Sequence, residues 1–385
     1  MAIFKKTALF LISLLVVSFC YFHLPQAQAA QEVIGLIRQD CAGFSNCYTS
    51  LSAWEAAYGG INFGSCAQGD LVCADKIAVA KIDGAWTQPD TNRVTIDGWT
   101  TGPNNYIRIY TAPEARHKGI AGTGYRLITT ASSVPGIYIY EGHVRIEGLE
   151  FQHTNTYNNS MNGITIYNSG VPDNDIRLIG LLVHDCSSPG TYEASGVSIG
   201  AGPGKVIIAN SIFYNNKTDG VRAGTNSSTL TVYSYNNTFV NNGRYGLYKN
   251  WSNAVVSKNN YAGGNLVADY FASTGSISMT TSASSDATGS AGLRNIAVSD
   301  SAGAYFMNLE KGSENFHIQS SLLLKDAGTN LSADANLAFS DDIDGQTRSA
   351  PWDIGADETA ASGETPAKFR FNNGMFKIKG KAIFK

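Results

Sequence analysis

The sequence predicts an all-β solenoid, a coil of parallel strands wound about one axis, and three observations carry that prediction. The first is repetition between Gly136 and Gly264. A glycine followed by an alternating apolar triplet recurs as Gly136-Ile137-Tyr138-Ile139, Gly163-Ile164-Thr165-Ile166, Gly196-Val197-Ser198-Ile199, Gly220-Val221-Arg222-Ala223 and, more loosely, Gly246-Leu247-Tyr248. Beside it recurs a strand-like stretch that ends on a large apolar residue, at 144–151, 176–183, 206–213, 232–239 and, faded, 255–262. Anchored on Gly148, Gly180, Asn210, Asn236 and Asn259, the steps are 32, 30, 26 and 23 residues. Repetition in fixed order at such a period marks a solenoid, because no single unit can bury its own apolar face. The second observation is period-two alternation inside each copy, which argues for strands over helices. The third is composition: 43% hydrophobic, 15% charged and 40 glycines, which suits a turn-rich chain with a large core. A leucine-rich frame and the four-stranded unit of a propeller are both missing.

Within the repeat, Thr154, Cys186, Asn216 and Asn242 fall in one column, preceded by a column of His153, Asp185, Asn215 and Asn241. Asparagines stacked coil upon coil can hydrogen-bond along the axis and close tight turns, since their side chains mimic backbone turns. Near the C-terminus stand Asp342-Ile343-Asp344-Gly345-Gln346-Thr347-Arg348 and Asp353-Ile354-Gly355-Ala356-Asp357-Glu358. On these residues the chain resembles the pectin-lyase-like superfamily of right-handed parallel β-helices, and in particular secreted bacterial members that close on the same two motifs. The resemblance implies a right-handed winding, in line with the general crossover preference.

Residues 1–30 read as a secretory signal peptide: Lys5 and Lys6, an apolar run over 8–20, then Ala27-Gln28-Ala29. The chain is therefore expected to be secreted or displayed at the cell surface. Residues 31–92 form an expected N-terminal cap. Cys41, Cys47, Cys66 and Cys73 read there as two disulfides with three connectivities open, and Cys186 as a buried free thiol inside the coil. Residues 49–57 are expected to make one short helix, with a Ser52 to Glu55 capping box, over the open end of the solenoid. The β-helix proper is expected over 93–271, and the loop Arg116-His117-Lys118-Gly119 within it as a solvated basic turn. Residues 272–360 hold terminal coils and closing motifs, with strand-like pieces at 295–298 and 316–318. Residues 361–385 read as a basic β-hairpin about Asn373-Gly374.

The formal net charge is −3, the tail alone carries +5, and residues 31–360 carry −10, which excludes a nucleic-acid binder by charge. The resemblance points instead to a polysaccharide, acidic in kind, handled by a monomer. Tyr138, Thr165, Ser198, Arg222 and Tyr248 are expected to face outward in one column, with Tyr140 and Tyr167 two positions on, able to stack on sugar rings and hold a carboxylate. Arg145 and Arg177 are expected on adjacent coils as a second anion-binding pair, near Glu147 and Asp175. No carboxylate pair recurs on one column, so hydrolysis is disfavoured. A lyase would need a base and a cation, for which Arg222, Tyr248 and Lys249 are the candidates. Asp342 and Asp344 offer oxygens for Ca²⁺, with Arg348 paired to Asp353 or Glu358 as the structural alternative. The basic tail could hold the protein to an anionic envelope polymer or lipid. A non-catalytic envelope or adhesive protein is the other functional class the sequence allows.

Overall fold

The computed structural model describes residues 30–359 apart from 169, 201, 225–228, 252–253, 297–305 and 320–322. The expected signal peptide and the expected tail hairpin lie outside the described residues, except for Ala30. The fold is a parallel β-helix. One coil runs through Ile137–Ile139, Val144–Glu147 and Glu150–Asn155, and the next through Ile164–Ile166, Asn174–Ile179 and Leu182–His184. Stacking like strands makes a glycine sheet of seven strands, a long sheet of ten and a corner sheet of seven. The pairings run parallel and in register, so Tyr138, Thr165, Ser198, Arg222 and Tyr248 do share one outward column, extended by Thr95 and Phe271. Their neighbours Ile137, Ile164, Val197, Val221 and Leu247 stack inward, essentially without solvent contact, each stabilising the coil by roughly 1.5–3 kcal/mol through burial.

The two corners around the corner sheet explain why the repeat favours glycine and asparagine. Between the long and corner sheets, Gly148, Gly180, Asn210, Asn236 and Asn259 sit at φ of +76°, +63°, +49°, +48° and +53°. Only glycine and, among the rest, chiefly asparagine and aspartate enter this left-handed region readily. The next residue turns inward, and Ser211, Asn237, Asn260 and Ser282 form a hydrogen-bonded ladder along the axis. After the corner sheet, Asp185, Asn215, Asn241 and Gly264 repeat the left-handed turn. Cys186, Asn216, Asn242 and Asn265 follow as a second ladder, in which the backbone N–H of each of the first three is accepted by the asparagine of the next coil. Thr154 does not join that column, because it bridges Ser187 one residue out of step. His153 is likewise no turn residue; it is buried, with Nδ1 2.8 Å from Thr129 Oγ1.

The coils begin earlier and end later than 93–271. Gln31–Ile37 and Lys76–Ile82 already belong to the long sheet, and Ser278–Thr280 with Ala283–Ser284 extend it and the corner sheet. The cap helix is Leu51–Tyr58, and its N-cap is Ser50, whose Oγ accepts from Ala53 N at 3.1 Å. The expected capping box at Ser52 is thus displaced, and Glu55 instead accepts from Trp99 Nε1. Trp54 lies fully buried between Tyr58 and Trp99 and closes the core. The disulfides are Cys41–Cys47 and Cys66–Cys73, and Cys186 is free and buried.

Segments beyond the coils cover two of the three outer faces. An antiparallel pair, Phe306–Asn308 with Asn315–Ile318, and the closing segment bury Leu182, Ile212, Tyr214 and Tyr261 of the corner sheet. Leu331, Leu337 and Trp352 bury Ile207, Ala209 and Tyr235 of the long sheet. Asn295 and Ile296 form no strand; Ile296 N simply bonds Ser284 O. The 116–119 loop is not a solvated turn. His117 is fully buried, with Nε2 2.9 Å from Gly180 O and Nδ1 accepting from Gly119 N, and Arg116 packs against the glycine corners at 148 and 180.

Candidate functional site

Among the described residues, the glycine sheet is the face whose outward column stays open along its length: Tyr138, Thr165, Ser198, Arg222 and Tyr248 are each part-exposed, and Phe271 is exposed. At one end Tyr138, Tyr140 and Tyr167 cluster with ring centroids 4.3, 6.3 and 6.3 Å apart. Tyr167 is 53% exposed, the most open ring of the three. Burial and the neighbouring Tyr140 push the Tyr138 hydroxyl up to about 12, so it remains a neutral donor. At the other end Tyr245 stacks on Phe271 at 4.5 Å, and Tyr248 lies 5.7 Å from Phe271. Between them stand the hydroxyls of Thr165 and Ser198 and an ionic bridge. With coils about 4.8 Å apart, the five steps from the Tyr138 strand to the Phe271 strand span about 24 Å.

The bridge is built from Glu193, which accepts from Arg222 Nη1 and Arg244 Nη1, both at 2.5 Å. Burial would raise the Glu193 carboxyl, but the two guanidiniums beside it hold it below the usual carboxylate range. Arg244 also forks onto buried Asp219 at 2.8 and 2.7 Å, so it is fixed. Arg222 is the looser partner: it reaches over the Tyr248 ring at 5.8 Å and lies 3.1 Å from the Asn250 amide. The Tyr248 hydroxyl is 3.0 Å from the same amide. Lys249 does not accompany them. It pairs with inward-facing Ala223, is buried, and its ammonium donates to Trp251 O and Thr274 O, so it plugs a coil corner. Sequence reasoning missed Glu193, Arg244, Tyr245 and Phe271. Phe271 carries a usable signal, since it follows Tyr248 by the same 23 residues that separate Asn236 from Asn259. Glu193 sits in an irregular loop and has none.

On the long sheet Arg145 and Arg177 are register neighbours, as expected, and Arg108 continues the column. Arg177 forks onto Asp175 with both bonds at 2.8 Å, and Arg108 onto Glu147 at 3.0 and 2.8 Å. Arg145 stacks on Tyr106 at 3.5 Å. Two of the three cations are therefore neutralised locally, and only Arg145 is left for an anion.

The pair Asp342 and Asp344 separates. Asp342 is buried, and its oxygens accept from Asp344 N, Gln346 N and Glu358 N, which makes it the pin of a tight turn. Asp344 faces His317 and Asp357 instead. Arg348, whose side chain is shut from solvent, pairs with Glu358 at 3.2 Å, as one of the two structural alternatives had it.

The family described as "Right handed beta helix region" matches residues 128–286, which agrees with the coil and sets its hand. No curated protein matches the chain significantly. Four solved chains match it, one of them titled as the crystal structure of pectate lyase Pel9A, at 16% identity and a TM-score of 0.35, covering 87% of this chain and 98% of that one.

Proposed function

We propose that the protein binds an extended polysaccharide, with uronate or other acidic sugars preferred, along the open face of the glycine sheet. The observation that carries this reading is the open face on which two aromatic clusters flank the hydroxyls of the outward column and the Arg222–Glu193–Arg244 bridge beside it. Aromatic faces take sugar rings, and a guanidinium takes a carboxylate in a fork. Tyr138, Tyr140 and Tyr167 form the stacking end, and Arg222 is the cation that a sugar carboxylate could draw away from Glu193. Arg145 on the neighbouring face is a secondary contact. Hydrolysis needs two carboxylates flanking the bond, whereas Glu193 is already bridged. Any turnover would be an elimination, with Arg222 on the uronate and the Tyr248 hydroxyl nearest to act as base. The two disulfides suit an exported protein, and the basic tail would hold it to an anionic envelope surface.

A glycan array of polyuronates, sulfated and neutral glycans, followed by a lyase assay on unsaturated-product absorbance, tests the proposal. Binding to acidic glycans that Tyr167→Ala weakens is the expected result. A chain that binds no glycan in the array would be a structural or adhesive solenoid, and the proposal would fall.

A further inference from the structure

We infer that His317, Asp344 and Asp357 form a binding site for one first-row divalent metal ion, zinc in kind, that fastens the closing segment to the antiparallel pair lying on the flank of the solenoid. Each residue offers one ligand atom, and the three atoms lie within 4.8 Å of one another. Small side-chain adjustments, in which His317 Nε2 and Asp344 Oδ2 move apart from their 2.7 Å contact, would seat each atom at the roughly 2.0–2.2 Å from the ion that zinc requires. They come from three separate pieces of chain: the strand Asn315–Ile318, the turn pinned by Asp342, and the closing motif. An ion here would be a cross-link between elements that are otherwise joined by packing and hydrogen bonds.

The surroundings are arranged as metal sites are. The other ring nitrogen of His317, Nδ1, sits against Asn315 Oδ1, and this orients Nε2 toward Asp344 Oδ2 at 2.7 Å. Such an outer partner fixes the ring and tautomer of a ligating histidine. Asp357 is held by Ile318 N at 2.6 Å, and the backbone of Asp344 by Asp342 Oδ1 at 3.0 Å. The remaining oxygen of Asp344, Oδ1, is shut from solvent yet accepts no hydrogen bond. Buried carboxylate oxygens are rarely left so, and a cation would supply the missing partner. Gly119, at φ +70°, closes the site from the other side; a Cβ there would stand 3.4 Å from Asp344 Oδ1 and 3.5 Å from His317 Cε1. One imidazole with two carboxylates suits zinc, cobalt or manganese, whereas calcium wants six to eight oxygens.

The test uses the full chain stripped with a chelator and then dialysed free of it. Calorimetric titration with zinc should give one ion per chain and a raised melting temperature, with calcium much weaker. His317→Gln and Asp344→Asn should each weaken zinc by about tenfold or more. On the unsubstituted chain, the His317 ring must be among the histidine NMR signals that move on zinc addition, which keeps the test valid if a variant fails to fold. No zinc binding, zinc binding that both variants leave intact, movement of other histidines alone, or tighter binding of calcium would each overturn the site.

Discussion

Arg348 Nη2 donates a hydrogen bond to Asn210 Oδ1 at 3.0 Å, tying the closing segment to a coil corner 138 residues earlier. The same asparagine donates Nδ2 to Asp341 O. One coil on, Asn236 donates to Asp353 O and Gly355 O, and one further, Asn259 donates to Thr329 O and accepts from Thr329 N. The left-handed corner therefore has two uses. Its backbone makes the turn, and its side chain, facing outward, is the seam to which the closing segment is sewn.

Arg348→Ala should destabilise the protein by about 3–5 kcal/mol, because it leaves Glu358 buried and unpaired and strips donors from Asn210 Oδ1, Gly355 O and Ala356 O. Arg348→Lys should recover little, since one ammonium cannot reach partners arranged around a planar fork. Urea unfolding measures both. A loss below about 1 kcal/mol for the alanine variant, the size of one ordinary hydrogen bond, would show that the seam is held elsewhere.

Asn216→Ala should lower stability by about 1–3 kcal/mol. Its amide donates to Val183 O and Asn242 Oδ1 and its oxygen accepts from Cys186 N, all away from water. Equilibrium unfolding that matched the native protein would remove the load assigned to the inward ladder.

Tyr167→Ala and Arg222→Ala should leave unfolding free energy within about 0.5 kcal/mol, as surface changes usually do, while weakening the acidic glycan. Lys249→Ala should do the reverse: about 1 kcal/mol of stability lost from its two carbonyl bonds, with glycan affinity retained. Paired melting and binding curves decide it. If Lys249→Ala were as stable as the parent but lost the glycan, the ammonium would have to face the groove after all.

Much of the fold was legible because steric rules act on single residues. The column Gly148, Gly180, Asn210, Asn236, Asn259 stands out because a positive φ filters residue types at every coil. The outward column is legible because alternation in a strand leaves no choice of side. Alternation also had the means to correct Lys249, one position after outward Tyr248. Its charge drew the functional reading, although a long side chain at an inward position can end at a corner carbonyl. Burial of the 116–119 loop could not be read, because what buries it includes corners at 148 and 180 and a closing segment more than two hundred residues away. His317 could not be matched with Asp344 and Asp357 either: the two motifs that hold the aspartates are neighbours in the sequence, but the histidine arrives from another strand.

Two buried histidines should contribute to the pH dependence of stability from opposite sides. For His184, burial disfavours the charged ring, but hydrogen bonds to Asp185 Oδ2 at 2.8 Å and Glu150 Oε1 at 3.2 Å outweigh it and lift the ring to about 9. A folded value above the unfolded one, about 6.5, stabilises fully below pH 6.5, and this contribution is lost as pH rises through about 9. For His117, burial and the nearby Arg116 push the ring down to about 3, against its bond to Gly180 O. Its contribution is complete above about 6.5 and is lost as pH falls toward 3. Stability from these two groups together should therefore peak near pH 6.5. In His184→Gln the decline between pH 7 and 9 should flatten, even if the variant is less stable throughout, and in His117→Gln the acid limb should flatten instead. Histidine NMR titration of the unsubstituted chain gives the direct check. A His184 ring that lost its proton near pH 6 would mean that Glu150 and Asp185 do not hold it as an imidazolium, and the alkaline limb would need another source.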